Sequence, residues 1–498
     1  MTAHLLFAAL VSLLQVITPA DSKVTGQSQH ILYMLEGHGL PENINYAYKN
    51  NEWALTFNQC AKTDSISVFE LMPKEPGDYY ILRIRSADNL KPLSGIIPFV
   101  TTGDIAIFKA NPDQAQNLSH SGWGLTRIEP QIQALKTYQP KSAPTIASID
   151  SNIVRMISHI TAQTTHQLIA DLSSIYSRYS LVQGCREAEQ YAFDRFNELN
   201  LATSFFNFQY SGIDMRNVIG QLTGRVAPES IVIICAHVDC TSEDRNNNAP
   251  GAEDNASGGA AVIEAARVLS AYPTDLTLRF IIFSGEEQGL IGSDDYAQFV
   301  QTQGEIIAAV INVDMVAYSG PYSLDMHIFS DPQSYWLGQL AAGVVSTYST
   351  LDTIPHYEYS PRWGSDHYPF AIRGYPAIFF IDAWDGFDWY PFYHTTADTL
   401  GNLNMNQETS ICGSVAALSA ILARPYFGPS YLPGDANGSG DVNGIDVVFL
   451  VNYLKGRQAP DPILRGDANG DCRTNGIDVI YLVNYLKGGP IPFSGQCY

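Results

Sequence analysis

Acidic and imidazole side chains follow several apolar, strand-like runs in the middle of this chain. Open α/β sheets collect functional groups beyond the carboxyl ends of their strands, so these side chains should meet at one edge of a sheet. They are His237, Asp254, Glu286, Glu287, Asp314 and His394. Imidazole nitrogens and carboxylate oxygens are ligands for zinc-sized ions. Five of these residues, two histidines and three carboxylates, would hold two such ions if one carboxylate bridged them. The pattern therefore predicts a metal-dependent hydrolase.

Each of these residues also has an ordinary structural explanation. Asp254 could cap the Ala-rich helix that is predicted after it, and Glu286 with Glu287 could form a solvated turn. Asp314 could pair with an arginine, but it follows the apolar run 308–313, where an unpaired carboxylate is costly to bury. A metal site accounts for all six residues at once.

Residues 144–426 alternate continuous apolar strands with helices, which predicts an α/β domain with a mixed, mostly parallel sheet and helices on both faces. The predicted strands include 230–235, 276–283, 307–313 and 377–381. The predicted helices are 153–168, 188–199, 257–270, 293–302, 335–346 and 407–422.

Six short motifs carry the candidate ligands. They are His-x-Asp at 237–239, Gly-Ala-x-Asp-Asn-x-Ser-Gly at 251–258, Gly-Glu-Glu-x-Gly-Leu-x-Gly-Ser at 285–293, Asn-Val-Asp-Met at 312–315, Ser-Asp-His-Tyr-Pro-Phe at 365–370 and Tyr-His-Thr-Thr-Ala-Asp-Thr at 393–399. Together they resemble the two-zinc peptidase family of bacterial leucyl aminopeptidase, glutamate carboxypeptidase and glutaminyl cyclase. The resemblance extends over about residues 145–425.

The resemblance implies a division of the ligands between two zinc ions. His237 and Asp314 would bind one ion, Glu287 and His394 the other, and Asp254 would bridge them.

The resemblance also implies two catalytic residues, Glu286 and Asp239. Glu286 would be the general base that deprotonates the shared water and later protonates the leaving amine. Asp239 would hold His237 by its second ring nitrogen. The bond between Asp254 and Asn255 would be a cis peptide, and residues 365–367 would have a supporting role near the pocket.

The reaction implied by the resemblance is hydrolysis of peptides. The cyclase branch uses one zinc and would not need both His237 and Asp314, so their presence favours an exopeptidase. Likeness to secreted bacterial aminopeptidases, including residues 172–179, favours an aminopeptidase over a carboxypeptidase. Aromatic residues near the site would line a side-chain pocket or belong to the core: Trp363, Trp384, Trp389 and Tyr390.

A sequence repeat occupies the C-terminal region, where residues 434–456 recur at 466–488. Each copy offers oxygen ligands at loop positions 1, 3, 5, 7, 9 and 12, and position 7 acts through its backbone carbonyl. In the first loop they are Asp435, Asn437, Ser439, Asp441, Asn443 and Asp446; in the second they are Asp467, Asn469, Asp471, Arg473, Asn475 and Asp478. Such a loop followed by a helix, here 447–454 or 479–486, predicts calcium binding.

The repeat resembles a dockerin module, because its last ligand is Asp rather than Glu and no helix precedes the loop. The resemblance implies a cohesin as partner. Ser439 replaces a carboxylate, and Gly444-Ile445 and Gly476-Ile477 stand where dockerins of cellulosomes carry small hydroxyl residues. A purely structural role of this module therefore remains the alternative. A different class of function is a binding protein with an inactive peptidase-like domain and a dockerin-like tail.

The ends of the chain and its charge set the wider context. Residues 1–20 predict a secretory signal peptide, with a buried N-terminal helix as the alternative. Residues 21–143 predict a mostly β region, either a propeptide or an accessory domain, and 427–433 a linker before the module 434–498. A net charge of −22 disfavours nucleic acid and anionic membranes as partners, and we expect a soluble, secreted protein.

Seven cysteines would be compatible with disulfides in an exported protein. The pairs we expect are Cys472 with Cys497, in one small module, and Cys185 with Cys412. Cys235 lies in a predicted strand beside His237 and is expected to be a buried residue rather than a ligand.

Overall fold

The computed structural model describes short strands before residue 130 and most of the chain from residue 148 onward. The described residues are 32–37, 48–49, 53–56, 66–71, 78–83, 98, 100–102, 105–111, 114–115, 118, 125–128, 148–320, 325–351, 356–358, 364–382, 390–428 and 431–493. Several predictions fall outside these residues: the signal peptide, Cys497, Trp363, Trp384 and Trp389.

The N-terminal region contains two antiparallel sheets of four strands each, which confirms its predicted β character. The first sheet has the strand order β2-β3-β1-β4, with β1 Leu32–Gly37, β2 Tyr48–Lys49, β3 Trp53–Thr56 and β4 Ile66–Leu71. The second has the order β6-β7-β5-β8, with β5 Asp78–Arg83, β6 Val100–Thr102, β7 Ile105–Ala110 and β8 Leu125–Ile128. The second sheet and the segment between β7 and β8 share a small core of eight buried residues, which include Tyr80, Phe108 and Leu125.

The central domain has an eight-stranded sheet with the order β15-β14-β16-β13-β11-β12-β10-β9. Its strands are β9 Ala202–Tyr210, β10 Ile213–Leu222, β11 Ala227–His237, β12 Leu276–Phe283, β13 Ile306–Val313, β14 His327–Ser330, β15 His356–Glu358 and β16 Ala377–Ile381. The pairs β11–β12, β11–β13, β13–β16 and β14–β15 are parallel, whereas β9, β10 and β14 add antiparallel pairs. The predicted mixed, mostly parallel sheet is therefore confirmed.

Eight α-helices of the central domain lie among the described residues. They are α1 Ser151–Ile157, α2 Ala162–Ser173, α3 Gln183–Glu198, α4 Gly258–Leu269, α5 Ile291–Gln303, α6 Tyr335–Tyr348 and α8 Met405–Ala423, and a short helix α7 Tyr368–Ile372 precedes β16. The single helix predicted over 153–168 is wrong, because two helices occupy this stretch. Thr161 ends the break between them: its hydroxyl accepts from the N–H of Thr164, whose hydroxyl accepts from the N–H of Thr161. This reciprocal cap satisfies two N–H groups and begins a new helix.

The two faces of β11 pack into different cores. Val232, Ile234 and Ala236 belong to the larger core, which α4 and α8 cover, and Ile233 with Cys235 belongs to a second core beneath α5 and α7. Because both faces are buried, an uninterrupted apolar sequence is what this strand requires. The prediction that Cys235 is a buried strand residue is confirmed.

The predicted Cys185–Cys412 disulfide is wrong, because both thiols are free and fully buried. Cys185 lies on α3 and Cys412 on α8, and each faces a glutamate of its own helix. Their Sγ atoms donate to Glu189 at 3.7 Å and to Glu408 at 3.1 Å. Cys472 is disulfide-bonded, and Cys497, its predicted partner, lies outside the described residues.

The C-terminal module contains the helices α9 Gly444–Leu454 and α10 Gly476–Tyr485, each directly after one copy of the repeat. Asn443 and Asn475 cap these helices, so both begin earlier than predicted. Within residues 431–493, the core of the module consists of four buried apolar residues, two from each copy: Ala436, Leu450, Ala468 and Leu482. Among the described helices of the whole chain, none combines the length and the apolar character that a membrane crossing needs.

Candidate metal centre

The register of the parallel strands brings the candidate ligands to one edge of the sheet. His237, the last residue of β11, is opposite Phe283, the last residue of β12, and Glu286 and Glu287 follow in the next turn. β13 lies on the other side of β11 and ends at Val313, directly before the candidate ligand Asp314. Three adjacent strands therefore end at the same level and deliver their polar residues to one place.

Asp254 lies between two histidines and faces each of them with a different oxygen. Its Oδ1 is 3.4 Å from Nε2 of His237, and its Oδ2 is 3.2 Å from Nε2 of His394. Asp314 lies 3.3 Å from the His237 nitrogen, and Glu287 lies 3.0 Å from the His394 nitrogen. These atoms form two groups of three, each within 4.8 Å, and Asp254 belongs to both.

The five side chains suit zinc as a ligand set in both burial and chemistry. All are at most 8% exposed. Several of their buried atoms have no hydrogen-bond partner among the described residues: Nε2 of His237, Oε1 of Glu287, Oδ1 of Asp314 and both ring nitrogens of His394. Buried polar atoms are normally paired, so ligand atoms that converge without hydrogen-bond geometry suit a shared cation.

Asp254 is held by a tight segment between Gly251 and α4. Gly251 has a φ of 52°, and a Cβ there would lie 2.5 Å from the side chain of Cys240. The Asp254–Asn255 peptide bond is cis, as the resemblance implied. The amide of Asn255 donates to the carbonyl of Val313 at 3.0 Å and accepts from Gly258 at 2.8 Å, so it links this segment to the end of β13.

The adjacent glutamates are positioned by Asp239 rather than by the sheet itself. The two carboxylate oxygens of Asp239 accept from the backbone N–H groups of Glu286 at 3.2 Å and Glu287 at 3.1 Å. The ring of His237 is held by Asp239 through the backbone carbonyl, 2.9 Å from Nδ1, while the carboxylate is 3.9 Å away. Ser180 donates a further hydrogen bond to the carboxylate at 2.7 Å. Asp239 therefore orients both a candidate ligand and the candidate general base.

Burial and crowding shift the protonation of the whole site. Burial raises the pKa of Glu286 well above its ordinary value, and the neighbouring Glu287 and Asp314 raise it further against the effect of His237. Burial also raises the pKa of Glu287 to about 7. Burial disfavours the charged ring of His394, but Glu287 and Asp254 outweigh it and raise its pKa to about 10. So much negative charge in a buried space suits a divalent cation.

The residues 365–367 lie beside the site, as the resemblance implied. Asp366 is fully buried, and burial raises its pKa to about 7, with Asp239 and Asp314 acting in the same direction. The ring of His367 stacks on Phe379 with centroids 4.9 Å apart, and burial lowers its pKa to about 3. Tyr390 is a core residue rather than the wall of a pocket, since it is fully buried.

Sequence reasoning missed the role of Asp398, although this residue belongs to the motif at 393–399. Its carboxylate accepts from the backbone N–H groups of Glu253 at 2.8 Å and Asp254 at 3.1 Å, and from the hydroxyl of Tyr390 at 2.8 Å. The only signal in the sequence was its place four residues after His394.

In the C-terminal loops, the carboxylates at positions 1 and 12 are buried and accept backbone N–H groups. Asp435 accepts from Ser439 and Gly440, each at 2.9 Å, and Asp446 accepts from Asn437 at 3.1 Å. The second loop repeats this arrangement around Asp467 and Asp478. These bonds curl both loops inward, and the remaining expected ligands lie along them: Asn437, Ser439, Asp441, Asn443, Asn469, Asp471, Arg473 and Asn475.

Comparison with known proteins finds one family model that matches the central domain and another that matches the C-terminal module. The model of Peptidase family M28 matches residues 217–418, and that of the Dockerin type I domain matches residues 433–487. Aminopeptidase YwaD of Bacillus subtilis (strain 168) is 29% identical over 232 residues, which are 45% of this chain and 47% of that protein. A probable zinc metalloprotease of Pyrenophora teres f. teres (strain 0-1) is 29% identical over 194 residues, 34% of this chain and 42% of that protein. The chain thus spans about half the length of these curated relatives.

The fold also has counterparts among solved structures. The crystal structure of the LapA aminopeptidase of Legionella pneumophila superposes with a TM-score of 0.58 at 19% identity, and the match covers 70% of this chain and 98% of that one. Residues 217–418 therefore belong to peptidase family M28, and a dockerin type I domain follows them at residues 433–487.

Proposed function

We propose that the central domain is a zinc-dependent aminopeptidase that binds two zinc ions through a shared Asp254. The observation that carries this proposal is the position of Asp254, whose two oxygens face His237 at 3.4 Å and His394 at 3.2 Å. Asp314 would complete the first set of ligands and Glu287 the second. A single metal would not require a carboxylate directed to both sides.

Glu286 is the proposed general base and general acid. Bound zinc would lower the pKa of a water molecule and polarise the carbonyl group of the scissile peptide. Glu286 would accept a proton from the attacking water and donate it to the leaving nitrogen as the C–N bond breaks. Burial raises its pKa, which makes its carboxylate a stronger base for this transfer. Asp239, which follows β11, accepts a hydrogen bond from the backbone N–H of Glu286 and so keeps that backbone in place.

The acidic surroundings favour a substrate with a free amino group. Glu286 and the carboxylates of the metal centre would attract the N-terminal ammonium group of a peptide. Aminopeptidase YwaD of Bacillus subtilis, which is 29% identical over its aligned part, carries this activity in its name. Carboxypeptidase and glutaminyl cyclase activity, and a catalytically inactive binding protein, are the alternatives that the experiment must separate.

The test compares the wild type with Glu286→Gln on leucyl p-nitroanilide, its N-acetylated form and a peptide with a free carboxyl terminus. We expect release from the free amine only, about two zinc ions per chain, and a loss of at least about 10²-fold in kcat for Glu286→Gln with zinc retained. Glu187→Gln, on the exposed side of α3, is the matched control.

Each alternative predicts a different result in the same assay. Equal rates for Glu286→Gln and the wild type would exclude the proposed mechanism. One zinc per fully loaded chain would favour the cyclase, and release of C-terminal residues would favour the carboxypeptidase. No turnover by zinc-loaded wild type would favour the binding protein.

We further propose that the chain is exported and that its C-terminal module binds two calcium ions. The buried Asp435, Asp446, Asp467 and Asp478 are costly in a module with such a small apolar core unless cations offset them. A cohesin-like protein is the proposed partner. Chelation of calcium should lower the unfolding temperature of residues 429–498, and an unchanged temperature would exclude the calcium sites. N-terminal sequencing of the protein from culture medium would test export and cleavage after residue 20.

A further inference from the structure

The second N-terminal sheet places its edge strand against the turn that carries the two adjacent glutamates. Among the described strands, β8 pairs only with β5, so its other side should expose unpaired backbone groups. Instead, the backbone N–H of Arg127 donates to the carbonyl oxygen of Gly289 at 3.3 Å. The three remaining residues of β8 are all buried. The central domain therefore covers and pairs an edge that the sheet cannot satisfy by itself.

Gly289 is where this turn and the sheet come closest. The N–H groups of Gly289 and Leu290 both donate to the carbonyl of Glu286, at 2.9 and 2.8 Å, and close the turn. Gly289 has a φ of 110°, which strongly favours glycine. A Cβ at this position would also lie 3.2 Å from the backbone nitrogen of Arg127 and 3.4 Å from the ring of Tyr80. Both the conformation of the turn and the approach of the sheet thus restrict this position to glycine.

The side chain of Arg127 adds a charged contact beside the turn. Its guanidinium group lies 3.6 Å from Asp294 and 3.9 Å from Asp295. Asp294, in the first turn of α5, also accepts from the buried Arg373 at 2.7 Å, and Arg373 donates to the carbonyl of Pro369 in α7. The sheet is therefore linked through charges to both helices that cover this side of the central sheet.

We propose that the sheet β5–β8 is a permanent clamp on the turn of Glu286, with Arg127 as its positioning residue. This inference rests on the proposed function, since it concerns the group that would transfer the proton. Asp239 holds the N–H groups of Glu286 and Glu287 from one side, and the sheet holds the carbonyl of Gly289 from the other. A turn fixed at both ends keeps its carboxylate in the orientation that proton transfer requires.

The clamp decides between the two roles that the sequence left open for residues 21–143. If the sheet were removed as part of a propeptide, the carbonyl of Gly289 would lose its N–H donor. Two aspartates of α5 would lose their contact with the guanidinium group of Arg127. Removal would also expose the buried residues of the edge strand β8. Losing buried hydrogen bonds and apolar cover is unfavourable for both parts, so the sheet that contains β8 is an accessory unit of the mature enzyme.

The first test substitutes Arg127 in the full chain loaded with zinc. Arg127→Ala should lower kcat about tenfold while KM and zinc content stay within about twofold of the wild type. Arg127→Lys keeps the positive charge and should recover most of kcat. Lys109→Ala is the matched control, because its ammonium group lies over Tyr79 of the same sheet and should leave kcat unchanged. Wild-type kcat in Arg127→Ala, or an equal loss in Arg127→Lys, would overturn the positioning role.

The second test cuts the intact chain between the sheet and the central domain. A protease site replaces residues 141–143, and the cut protein is passed over a size-exclusion column. We expect both fragments to elute together with the activity of the uncut protein. Dissociation accompanied by increased activity would overturn the clamp and identify a propeptide. If uncut protein shows no turnover, the proposed function fails, whereas co-elution of the fragments still reports on the docking of the sheet.

Discussion

The carboxylate of Asp398 accepts a hydrogen bond from the backbone N–H of Asp254 at 3.1 Å. Asp239 makes the same kind of contact with Glu287, also at 3.1 Å. Each of these aspartates follows a histidine of the candidate metal centre and holds the backbone of a candidate ligand. Glu287 lies beside the other histidine, and Asp254 lies between the two. The two segments that carry histidine therefore fix the two segments that carry acid, and the centre is tied together across the sheet edge.

Asp398→Asn should weaken zinc binding. An asparagine can still accept one hydrogen bond, but its amide nitrogen would face a backbone N–H group of Glu253 or Asp254 and repel it. Loss of a partner that orients a metal ligand typically costs about 10–100-fold in affinity or activity. Zinc competition with a chelator, followed by kcat, measures the effect. Asp194→Asn, on the exposed side of α3, is the control, and equal zinc affinity in both variants would contradict this role for Asp398.

Arg178 should be a large contributor to stability, although it has no acidic partner within hydrogen-bond distance among the described residues. Its fully buried guanidinium group donates to four backbone carbonyls, those of Leu172, Val238, Pro250 and Gly251. These carbonyls belong to the end of α2, the segment after His237 and the segment before Asp254.

Arg178→Met fills similar space but leaves the four carbonyls without donors. We expect a loss of at least about 3 kcal/mol in the free energy of unfolding, since each unpaired buried group costs about 1–3 kcal/mol. Arg178→Lys should recover little, because a point charge cannot reproduce the planar array of donors. Denaturant titration measures the loss. Arg155→Met on the exposed face of α1 should change stability by less than about 0.5 kcal/mol, and equal effects would contradict the prediction.

The central strands could be predicted from the sequence because both of their faces are buried. The bounds predicted for one of them, 276–283, coincide with β12. A strand that is buried on both faces requires a continuous apolar run, and this run is visible in the sequence. The antiparallel strands β9 and β10 were not predicted. β9 is an edge strand with a half-exposed pattern, and Phe205 and Phe206 are adjacent and both partly buried, which breaks the alternation that marks a strand.

The candidate ligands could also be predicted, whereas the residues that position them mostly could not. His237 and Asp254 are recognisable by chemical type and by their place after a strand or before a helix. Arg178 and Asp398 act on backbone groups, which carry no signal in the sequence. The contact of Asp398 with Asp254 joins residues 144 positions apart, so it is visible only once the chain has folded.

Glu408→Gln should make stability less dependent on pH. Glu408 is fully buried in α8, and burial raises its pKa well above the usual value, with Glu253 and Glu264 acting in the same direction and the thiol of Cys412 opposing them. A carboxyl group whose pKa is higher in the folded state stabilises the fold below about pH 4.3, and this stability is lost as pH rises toward the folded value. Glutamine keeps the acceptor for Cys412 and has no charge to bury.

The expected result is a difference between the two proteins that grows with pH. Near pH 4 the variant and the wild type should unfold at similar temperatures, and at pH 8 the variant should be more stable by about 1–3 kcal/mol. Thermal unfolding from pH 4 to pH 8 measures this difference. Glu187→Gln, in which the replaced glutamate is exposed, should follow the wild type at every pH. A constant offset for Glu408→Gln would show that the pKa of Glu408 does not differ between the folded and unfolded states, and would contradict the prediction.

Arg465 should make the first calcium loop weaker than the second. Its guanidinium group donates to Asp435, the ligand at position 1, at 2.8 Å, and this positive charge would repel a calcium ion in the same loop. The first loop also has Ser439 where the second has the carboxylate of Asp471. Arg465→Gln should therefore strengthen the weaker of two binding steps about three- to tenfold, and titration calorimetry at low and high salt measures it. Arg457→Gln, exposed in the same module, should change neither step. If Arg465→Gln weakens binding instead, the arginine orients Asp435 for the ion rather than competing with it.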